Sequence, residues 1–376
     1  MFADTDDQQL FESATARFLE SHYPIERVRE LADHGTTFDP VLWRRAGELG
    51  WTTLLVPEQA GGGSISGNGL SDLLIVAGQF GQHASPGPLL PTNAVGAALG
   101  RWGSPAQRAG PLKEILAGDA VATWAHTSAG RRGAGIAAAA ASGTVVLNGR
   151  VANVESAADA RYLLLTADGP AGPSHYLVPL DHQRVHLTAL RGVDLTRRFS
   201  QVHLDDVTLP EDSRVGAPGA ADEHDDDLLD LVAVVTAGEI TGAMRRAFDM
   251  TTEWTANRYS FGRPLNSYQE IKHRMADMRT PLEASEAVAA RAGDAVGTGA
   301  PDARSWASAA MAYVARYGPE LIQDCIQLHG GIGVTYDHDL HIFLRRAVLD
   351  ANLFGSHGEF ACRLGAMVAR TEANVP

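Results

Sequence analysis

Three consecutive segments of different character predict an α+β protein with several domains. Residues 1–120 repeat apolar side chains at helical spacing, and residues 121–218 form short β-rich runs bounded by Gly, Pro, Asn and Asp. Helical spacing then returns, and 376 residues are enough for two or three separate cores. We therefore expect an N-terminal α-helical domain (1–120), a middle β-barrel (121–218) and a C-terminal four-helix bundle (225–376).

The N-terminal segment begins with an amphipathic helix. The sequence DDQQLFESATARFLESHY opens with aspartates, which suit a helix N-terminus, and an apolar stripe follows. That stripe comprises Leu10, Phe11, Ala14, Phe18 and Leu19. The later stretch PEQAGGGSISGNG is rich in glycine, but no Gly-Lys-Ser/Thr follows, so we interpret it as a flexible connector and not as a phosphate loop.

The middle and C-terminal segments differ in the length of their elements. Five short β-rich runs, from GTVVLNGRVANV to FSQVHLDDVTLP, predict the middle domain, and an acidic linker, Gly216–Asp227, follows it. The helices predicted after the linker span roughly 228–257, 267–297, 302–328, 338–352 and 357–371.

Composition excludes several classes of function. The net charge is −14, which argues against broad binding to nucleic acid or to anionic membranes, because both need a positive field. No apolar run approaches the ~20 residues of a membrane span, and the N-terminus lacks a signal-peptide core. The two cysteines, Cys325 and Cys362, make no disulfide framework. We expect a cytoplasmic protein.

One stretch, NRYSFGRPLNSYQEIKHRMADM, concentrates cations around a Phe-Gly turn in this acidic chain. Packing alone gives no reason for cations at this turn, whereas the binding of an anionic ligand would explain them. Lys272, His273 and Arg274 are interpreted as a solvated helix face. The three histidines 329, 338 and 341 predict no metal site, because no cysteine or carboxylate pattern completes one.

The whole chain resembles the acyl-CoA dehydrogenase family. The segments that carry the resemblance are RYSFGRPLNSYQ and QLHGGIGVTYDHDLHIFLRRA, where the family has Arg-x-x-Phe-Gly with a later Gln and then Gln-x-x-Gly-Gly-x-Gly. PEQAGGG, NGRVANVESAADARYLL and VHLDDVTLP are similar to further family segments. The resemblance implies oligomerisation through the C-terminal bundle.

The resemblance also implies an FAD site shared between subunits. Arg258 corresponds to the arginine that meets the FAD pyrophosphate, with Phe261 and Gln269 beside it. Gln327 and the pair Gly330 and Gly331 correspond to the residues that line the adenine and ribose end. In the family these groups serve the flavin of the neighbouring subunit. A guanidinium fork suits phosphate oxygens, and glycine lets the backbone approach a ligand closely.

The family reaction needs a base that this sequence does not place. In the family a glutamate takes the α-proton of an acyl-CoA thioester while the β-hydrogen leaves as hydride to the flavin. One family position for this glutamate, nine residues after Arg345, is Phe354, and a slip by one residue gives Gly355. The other, 26 residues before Arg258, is Val232, followed by Ala233.

Other carboxylates lie near these segments but do not match them. Glu239 lies seven residues after Val232 on roughly the same helix face, and Asp337 and Glu359 lie near the C-terminal loop. A structural or interface role for Glu239 is favoured over a role as the base. We assign no catalytic residue to this chain.

The segments that face a subunit's own flavin are also altered. The family loop Thr-Glu-Pro-x-x-Gly-Ser-Asp reads TWAHTSAGRRGAG here and retains only the hydroxyls of Thr127 and Ser128. The Trp-Ile-Thr strand behind the isoalloxazine reads VANVES, without the aromatic residue. The loop after the missing glutamate is Gly355-Ser356-His357.

These losses lead to three hypotheses. The favoured one is a subunit without the catalytic Glu in an α₂β₂ acyl-CoA dehydrogenase of steroid or lipid degradation, completing FAD sites on a related, catalytic chain. The second is a self-sufficient homo-oligomeric enzyme with a relocated base. The third is a non-redox assembly protein on this scaffold. The resemblance implies an electron-transfer flavoprotein as electron acceptor.

Overall fold

The computed structural model of the protein describes residues 1–35, 38–126 and 135–373. Helices come first, a sheet follows, and helices complete the chain, so the α+β class and its three-part order are confirmed. The first strand begins at Ala122, the last strand of the main sheet ends at Val215 and the next helix begins at Ala221. We propose domain limits near residues 120 and 218 on this basis. No helix in the described ranges is long and apolar enough to cross a bilayer.

Seven helices form the N-terminal part. They are α1 Asp6–His22, α2 Ile25–Asp33, α3 Pro40–Glu48, α4 Gly69–Gln82, α5 Leu89–Trp102, α6 Pro105–Gln107 and α7 Lys113–Leu116. Thr5 begins α1 with a capping box, in which its hydroxyl accepts from Gln8 N and the Gln8 side chain accepts from Thr5 N.

The apolar stripe expected in α1 is partly wrong. Leu10 is 66% exposed, whereas Gln8, Thr15 and Leu19 are the buried residues of the helix. Gln8 is buried because its Nε2 donates to Asp72 Oδ1 at 2.9 Å. A specific polar contact has therefore shifted the inward face of α1 away from its hydrophobic period.

Asp72 also corrects the picture of a flexible connector. Its second carboxylate oxygen accepts the backbone N–H groups of Ile65 (2.6 Å) and Ser66 (3.0 Å), inside the glycine-rich stretch. Asn68 then caps α4 by accepting from Ser71 N. The stretch connects two helices, as expected, but hydrogen bonds fasten it to the second one.

The middle domain is an eight-stranded sheet. Its strands are β1 Ala122–Ala125, β2 Ile136–Ala141, β3 Thr144–Glu155, β4 Tyr162–Gly169, β5 Gly172–Pro179, β6 Val185–Leu190, β7 Phe199–Pro210 and β8 Arg214–Val215. Within the described residues the order is β6-β7-β3-β2-β4-β5-β8, and β1 pairs with β4. Most pairs are antiparallel, but β1 and β2 run parallel to β4. The sheet is therefore mixed, and β6 and β8 are its unpaired ends.

Five helices form the C-terminal domain. They are α8 Ala221–Asn257, α9 Gln269–Thr298, α10 Ala303–His329, α11 Leu340–Leu353 and α12 His357–Ala373. A two-stranded hairpin, β9 Tyr259–Ser260 and β10 Arg263–Pro264, connects α8 to α9. Helix α10 packs against each of the other four helices of the C-terminal domain. The N-terminal helix α4 packs on α8.

Glycines allow the close contact between α4 and α8. A Cβ on Gly242 would lie 2.0 Å from the carbonyl oxygen of Gly78, and a Cβ on Gly81 would lie 1.9 Å from the carbonyl oxygen of Glu239. No side chain fits in either place. The buried core is continuous across this contact, so the N-terminal and C-terminal helices share one hydrophobic core.

We expect Gly242→Ala to destabilise the fold by about 2–3 kcal/mol, because the added methyl group forces two buried helices apart. Gly365→Ala in α12 is the matched control, since no atom lies within 4 Å of its Cβ position. That change should be neutral or stabilise by up to ~1 kcal/mol through helix propensity. Thermal unfolding measures both, and equal melting temperatures for the two variants would contradict the close packing.

Candidate functional site

The first family motif forms a tight exposed hairpin at the end of α8. Arg258 ends the helix by adopting an extended conformation, and its carbonyl accepts from Leu265 N at 2.8 Å, which closes the hairpin. Phe261 (φ 48°) and Gly262 (φ 79°) form a turn with two positive φ angles. Phenylalanine is strained there, and its side chain is 99% exposed. The turn is held by the Leu265–Arg258 hydrogen bond and by the Tyr268 hydroxyl, which donates to the Ser260 carbonyl at 2.7 Å, while the Phe261 ring remains open to solvent.

The second motif follows the end of α10. Gly330 ends that helix with φ 65° and ψ −141°, a conformation open to glycine alone. A Cβ at Gly330 or Gly331 would meet no atom within 4 Å, whereas a Cβ at Gly333 would lie 2.4 Å from the carbonyl oxygen of Ile326. Packing within the chain therefore explains Gly333. It does not explain Gly331, whose Cα faces open space.

The two motifs meet through one tryptophan. The guanidinium of Arg258 lies 5.7 Å from the centroid of the Trp254 ring, and that ring stacks on His329 at 5.1 Å. The Trp254 Nε1 is buried without a hydrogen-bond partner among the described residues. We call the set Trp254, Arg258, Phe261, Gln327, Gly330 and Gly331 the motif surface. Trp254 was not identified from the sequence. Its position four residues before Arg258, which places both residues on the same helix face, could have indicated it.

The other members of the two motifs are also exposed. Gln269 is the first residue of α9 and Gln327 lies in the last turn of α10. Within the described residues, no carboxylate pairs with the Arg258 guanidinium, so its charge is available to an external anion. Arg274 differs, because it pairs with Asp324 and joins α9 to α10, while Lys272 and His273 are exposed.

The positions that match the family base are filled by apolar packing. Val232 and Ala233 are fully buried in the core of α8. Phe354 ends α11, and its ring stacks against Trp124 with centroids 6.1 Å apart and 5.6 Å from His126. Neither position presents a group that can accept a proton.

The Phe354 cluster, meaning Trp124, His126 and Phe354, borders the strand that reads VANVES. Strand β3 has a bulge between Val151 and Val154, and Asn153 adopts a left-handed conformation there. The residues lining the small cavity at this place are Leu90, Pro91, Trp124, His126, Asn153, Glu155, Leu353 and Phe354. Its volume of about 20 Å³ is enough for roughly one water molecule. Thr127 and Ser128 lie outside the described residues.

Glu155 links this cavity to a buried ion cluster. The cluster comprises Glu155, Asp194, Arg197, Glu239, Arg346 and Asp350. Arg197 pairs with Glu155, Glu239 and Asp350. Arg346 donates from Nη2 to Glu239 Oε2 at 2.8 Å and from Nε to Asp350 Oδ2 at 3.1 Å. Strand β3, helices α8 and α11 and the loop before β7 are thereby joined.

Glu239 lies at the centre of this cluster, which argues against a role as general base. Burial would raise its pKa, but the guanidinium groups of Arg197 and Arg346 outweigh burial and hold the pKa below its usual value. A base for an α-proton works best with a pKa near the operating pH. Glu239 is therefore a weak base surrounded by cations, which agrees with the structural role favoured for this residue from the sequence.

Two further carboxylates from the sequence analysis have simpler environments. Glu359 accepts from Ser356 N (2.7 Å) and Ser356 Oγ (2.9 Å), and these bonds lower its pKa, so it serves the start of α12. Asp337 is exposed in the segment after α10. No group of histidine, cysteine and carboxylate side chains in the described ranges is arranged to hold a metal ion.

The ion cluster holds more carboxyl groups than cations. Among the described residues, four carboxyl groups face two guanidinium groups. Burial raises the pKa of Asp350 to about 7, against the opposing effect of Arg197 and Arg346, and burial also raises the pKa of Glu155. The folded protein therefore keeps a proton in the cluster at a pH where the unfolded chain has released it.

This proton makes stability depend on pH. Because the pKa of Asp350 is raised on folding, its contribution is complete below the ordinary aspartate pKa and is lost as pH rises towards 7. Asp350→Asn mimics the protonated form and therefore lacks this pH dependence. Between pH 5 and pH 7.5 we expect its free energy of unfolding, relative to that of the wild type, to rise by about 2 kcal/mol. Melting temperatures across that range test this. Asp119→Asn, at an exposed ion pair with Arg44, is the control, and parallel curves for Asp350→Asn and wild type would contradict the retained proton.

Sequence comparison identifies two conserved domains. The model of the acyl-CoA dehydrogenase N-terminal domain matches residues 5–119, and that of the C-terminal domain matches residues 227–367. The chain is 30% identical over 371 residues to acyl-CoA dehydrogenase IpdE2 of Mycolicibacterium smegmatis, covering 97% of this chain and 99% of the relative. The IpdE2 of Mycobacterium tuberculosis is 30% identical over 365 residues, with 96% and 98% covered.

Solved structures share the whole fold. A chain of the ChsE4–ChsE5 complex from Mycobacterium tuberculosis superposes with a TM-score of 0.88 at 24% identity, covering 100% of both chains. A chain of the Tcur3481–Tcur3483 steroid ACAD, in a variant form, gives a TM-score of 0.87 at 26% identity, with 98% of this chain and 99% of that chain covered. With matching domains at both ends and relatives that align along nearly its full length, this chain belongs to the acyl-CoA dehydrogenase family.

Proposed function

We propose that this chain is the flavin-lending subunit of a heteromeric acyl-CoA dehydrogenase, and that a related chain carries the catalytic glutamate. One contrast within the structure carries the proposal. The motif surface is intact, exposed and unsatisfied, whereas Phe354 fills the position of the family base. A subunit of this kind completes the FAD site of its partner and leaves proton abstraction to it.

FAD is the cofactor of this family, and the motif surface fits it. Arg258 offers an unpaired planar guanidinium, which can donate two parallel hydrogen bonds to a pyrophosphate. Gly330 and Gly331 leave open space where a Cβ would stand, so a ligand can approach the backbone there. When bound, FAD supplies the acceptor for the hydride that leaves the acyl β-carbon.

The residues of the two family motifs then have defined tasks. Arg258 binds the pyrophosphate of the partner's FAD, with Phe261 and Gln269 beside it. Gln327 and the Gly330–Gly331 backbone border the adenine and ribose. The strained and exposed conformation of Phe261 is consistent with burial against a partner, because strain of this kind is kept where function over-determines it.

The ion cluster disfavours a self-sufficient enzyme. Glu239, which lies seven residues after a family base position on roughly the same face of α8, is bound to Arg197 and Arg346 and carries a lowered pKa. Glu155 occupies the strand that backs the flavin in the family and is itself paired with Arg197. Both carboxylates are therefore engaged in ion pairs inside the cluster, which disfavours either as a base that abstracts a proton from a substrate.

The relatives suggest the kind of complex and substrate. ChsE4 was solved in complex with ChsE5, and Tcur3481 with Tcur3483, the latter described as a steroid ACAD. By analogy we propose an α₂β₂ assembly acting on the CoA thioester of a steroid or other lipid degradation product. An electron-transfer flavoprotein is the acceptor that we propose for the reduced FAD.

Co-expression with a related chain that carries the glutamate tests the proposal. We expect the chain to purify without flavin when alone, and to yield one FAD per pair of chains with its partner. Full flavin and turnover in the isolated chain would refute the proposal and favour a homo-oligomeric enzyme. A flavin-free complex without turnover would favour an assembly role.

Arg258→Ala in this chain should remove most of the FAD from the complex without preventing assembly. Charge-assisted hydrogen bonds contribute ~1.5–3 kcal/mol each, so flavin affinity should fall about tenfold to a hundredfold. Flavin absorbance after gel filtration measures the loss, and added FAD should restore part of the activity. Arg263→Ala is the control from the same hairpin, since that guanidinium lies over the Tyr268 ring at 3.7 Å. Full flavin in Arg258→Ala would overturn the assigned role.

Glu239→Gln separates a structural role from a catalytic one. We expect stability to fall by about 3 kcal/mol, because two buried guanidinium groups lose their shared partner. Turnover per bound flavin should stay within a few-fold of wild type at a temperature where the variant is folded. A variant that keeps its flavin and its fold but loses turnover would show that this chain supplies the base.

A further inference from the structure

The ten-residue segment from Gly330 to Asp339 is held in place from the other end of the chain. Arg29 of helix α2 donates from Nη1 to the carbonyl oxygen of Tyr336 at 2.8 Å and from Nε to Asp339 Oδ1 at 2.8 Å. Its Nη2 lies 2.6 Å from the same carboxylate oxygen. Two hydrogen bonds and one ion pair from a single N-terminal arginine therefore connect to the segment that begins with the glycine pair.

The segment is held by contacts with neighbouring elements more than by a core of its own. Its apolar side chains Ile332, Val334 and Tyr336 are exposed, although the Tyr336 ring stacks on His341 of α11 with centroids 4.3 Å apart. The His338 ring meets His329 of α10 edge-on at 4.5 Å. The segment therefore depends on its ends and on contacts made from outside it, of which the Arg29 contact is one.

We propose that Arg29 is a positioning residue for flavin binding, which rests on the flavin-lending function proposed above. By fixing Tyr336 and Asp339, it holds the segment in the conformation that presents the Gly330–Gly331 backbone to the adenine and ribose of the partner's FAD. A segment that is already ordered loses less freedom when the ligand binds, so the affinity is higher. Arg29 touches no part of the flavin in this scheme.

An alternative role for the same contact is purely structural, as a connection between the N-terminal helices and the C-terminal domain. A structural contact contributes to thermal stability and to assembly. A positioning residue contributes to the affinity for the adenylate half of the ligand. The Arg29 and Asp339 side chains are each 28% exposed, so their ion pair is partly screened and its effect on global stability is small.

The test uses the complex with the catalytic partner, stripped of flavin, and two probes. One is FAD, and the other is ADP, which has the adenosine and pyrophosphate but no isoalloxazine. We expect Arg29→Ala to weaken both about tenfold, with assembly retained and a melting temperature within ~2 °C of wild type. Backbone amides of residues 330–339 should exchange faster with deuterium, in the complex and in the isolated chain. Arg27→Ala is the control on the same helix, since Arg27 pairs with Glu30 on the surface.

Two milder changes keep the test decisive if Arg29→Ala fails to assemble. Arg29→Lys keeps the charge without a fork that reaches both acceptors, and Asp339→Asn removes the ion pair. Both should give intermediate losses of FAD and ADP affinity. Unchanged affinity for both ligands, or unchanged exchange at 330–339, would overturn the proposal.

Arg258→Ala, measured in parallel, distinguishes a failure of the positioning role from a failure of the proposed flavin lending. If it loses FAD while the Arg29 variants do not, only the positioning role is wrong, and if it also keeps FAD, flavin lending is wrong.

Discussion

The contact of Glu239 with Arg197 and Arg346 is the interaction on which this architecture depends. Glu239 comes from the long helix α8, Arg197 from the loop that enters the last long strand, and Arg346 from α11. Burying two guanidinium groups carries a desolvation cost of several kcal/mol for each ion. That cost is tolerable only when carboxylates meet them from several sides, so the elements that supply those carboxylates are fixed relative to one another.

This cluster also fills the junction between the middle sheet and the C-terminal helices, because its members come from β3, α8 and α11. Here Glu155 turns into the cluster from the strand that backs the flavin in the family, and the aromatic Phe354 cluster covers the rest. The charge excess that remains is reduced by a proton on Asp350, because burial raises the pKa of that carboxyl group to about 7.

The sequence predicted the parts of this structure that depend on local pattern. The helix–sheet–helix order and the five C-terminal helices of the described structure follow from periodicity. Long-range polar pairs left no such signal. Leu10 was assigned to a buried face because its spacing is helical, yet the Gln8–Asp72 bond decides which face of α1 turns inward. Arg29 and Asp339, 310 positions apart, give no hint of each other in the sequence.

The charged and polar groups of this chain are arranged differently in the interior and at the motif surface. Inside, four carboxyl groups surround the two guanidinium groups of the ion cluster. At the motif surface, a strained and exposed Phe261 lies on the same hairpin as Arg258, whose guanidinium pairs with no carboxylate of the described residues. A monomer gains nothing from that arrangement, because exposed strain and unused donors only reduce its stability. Under the proposed flavin lending, a second chain and an anionic cofactor would cover these groups, so the benefit would belong to the assembly and not to the chain alone.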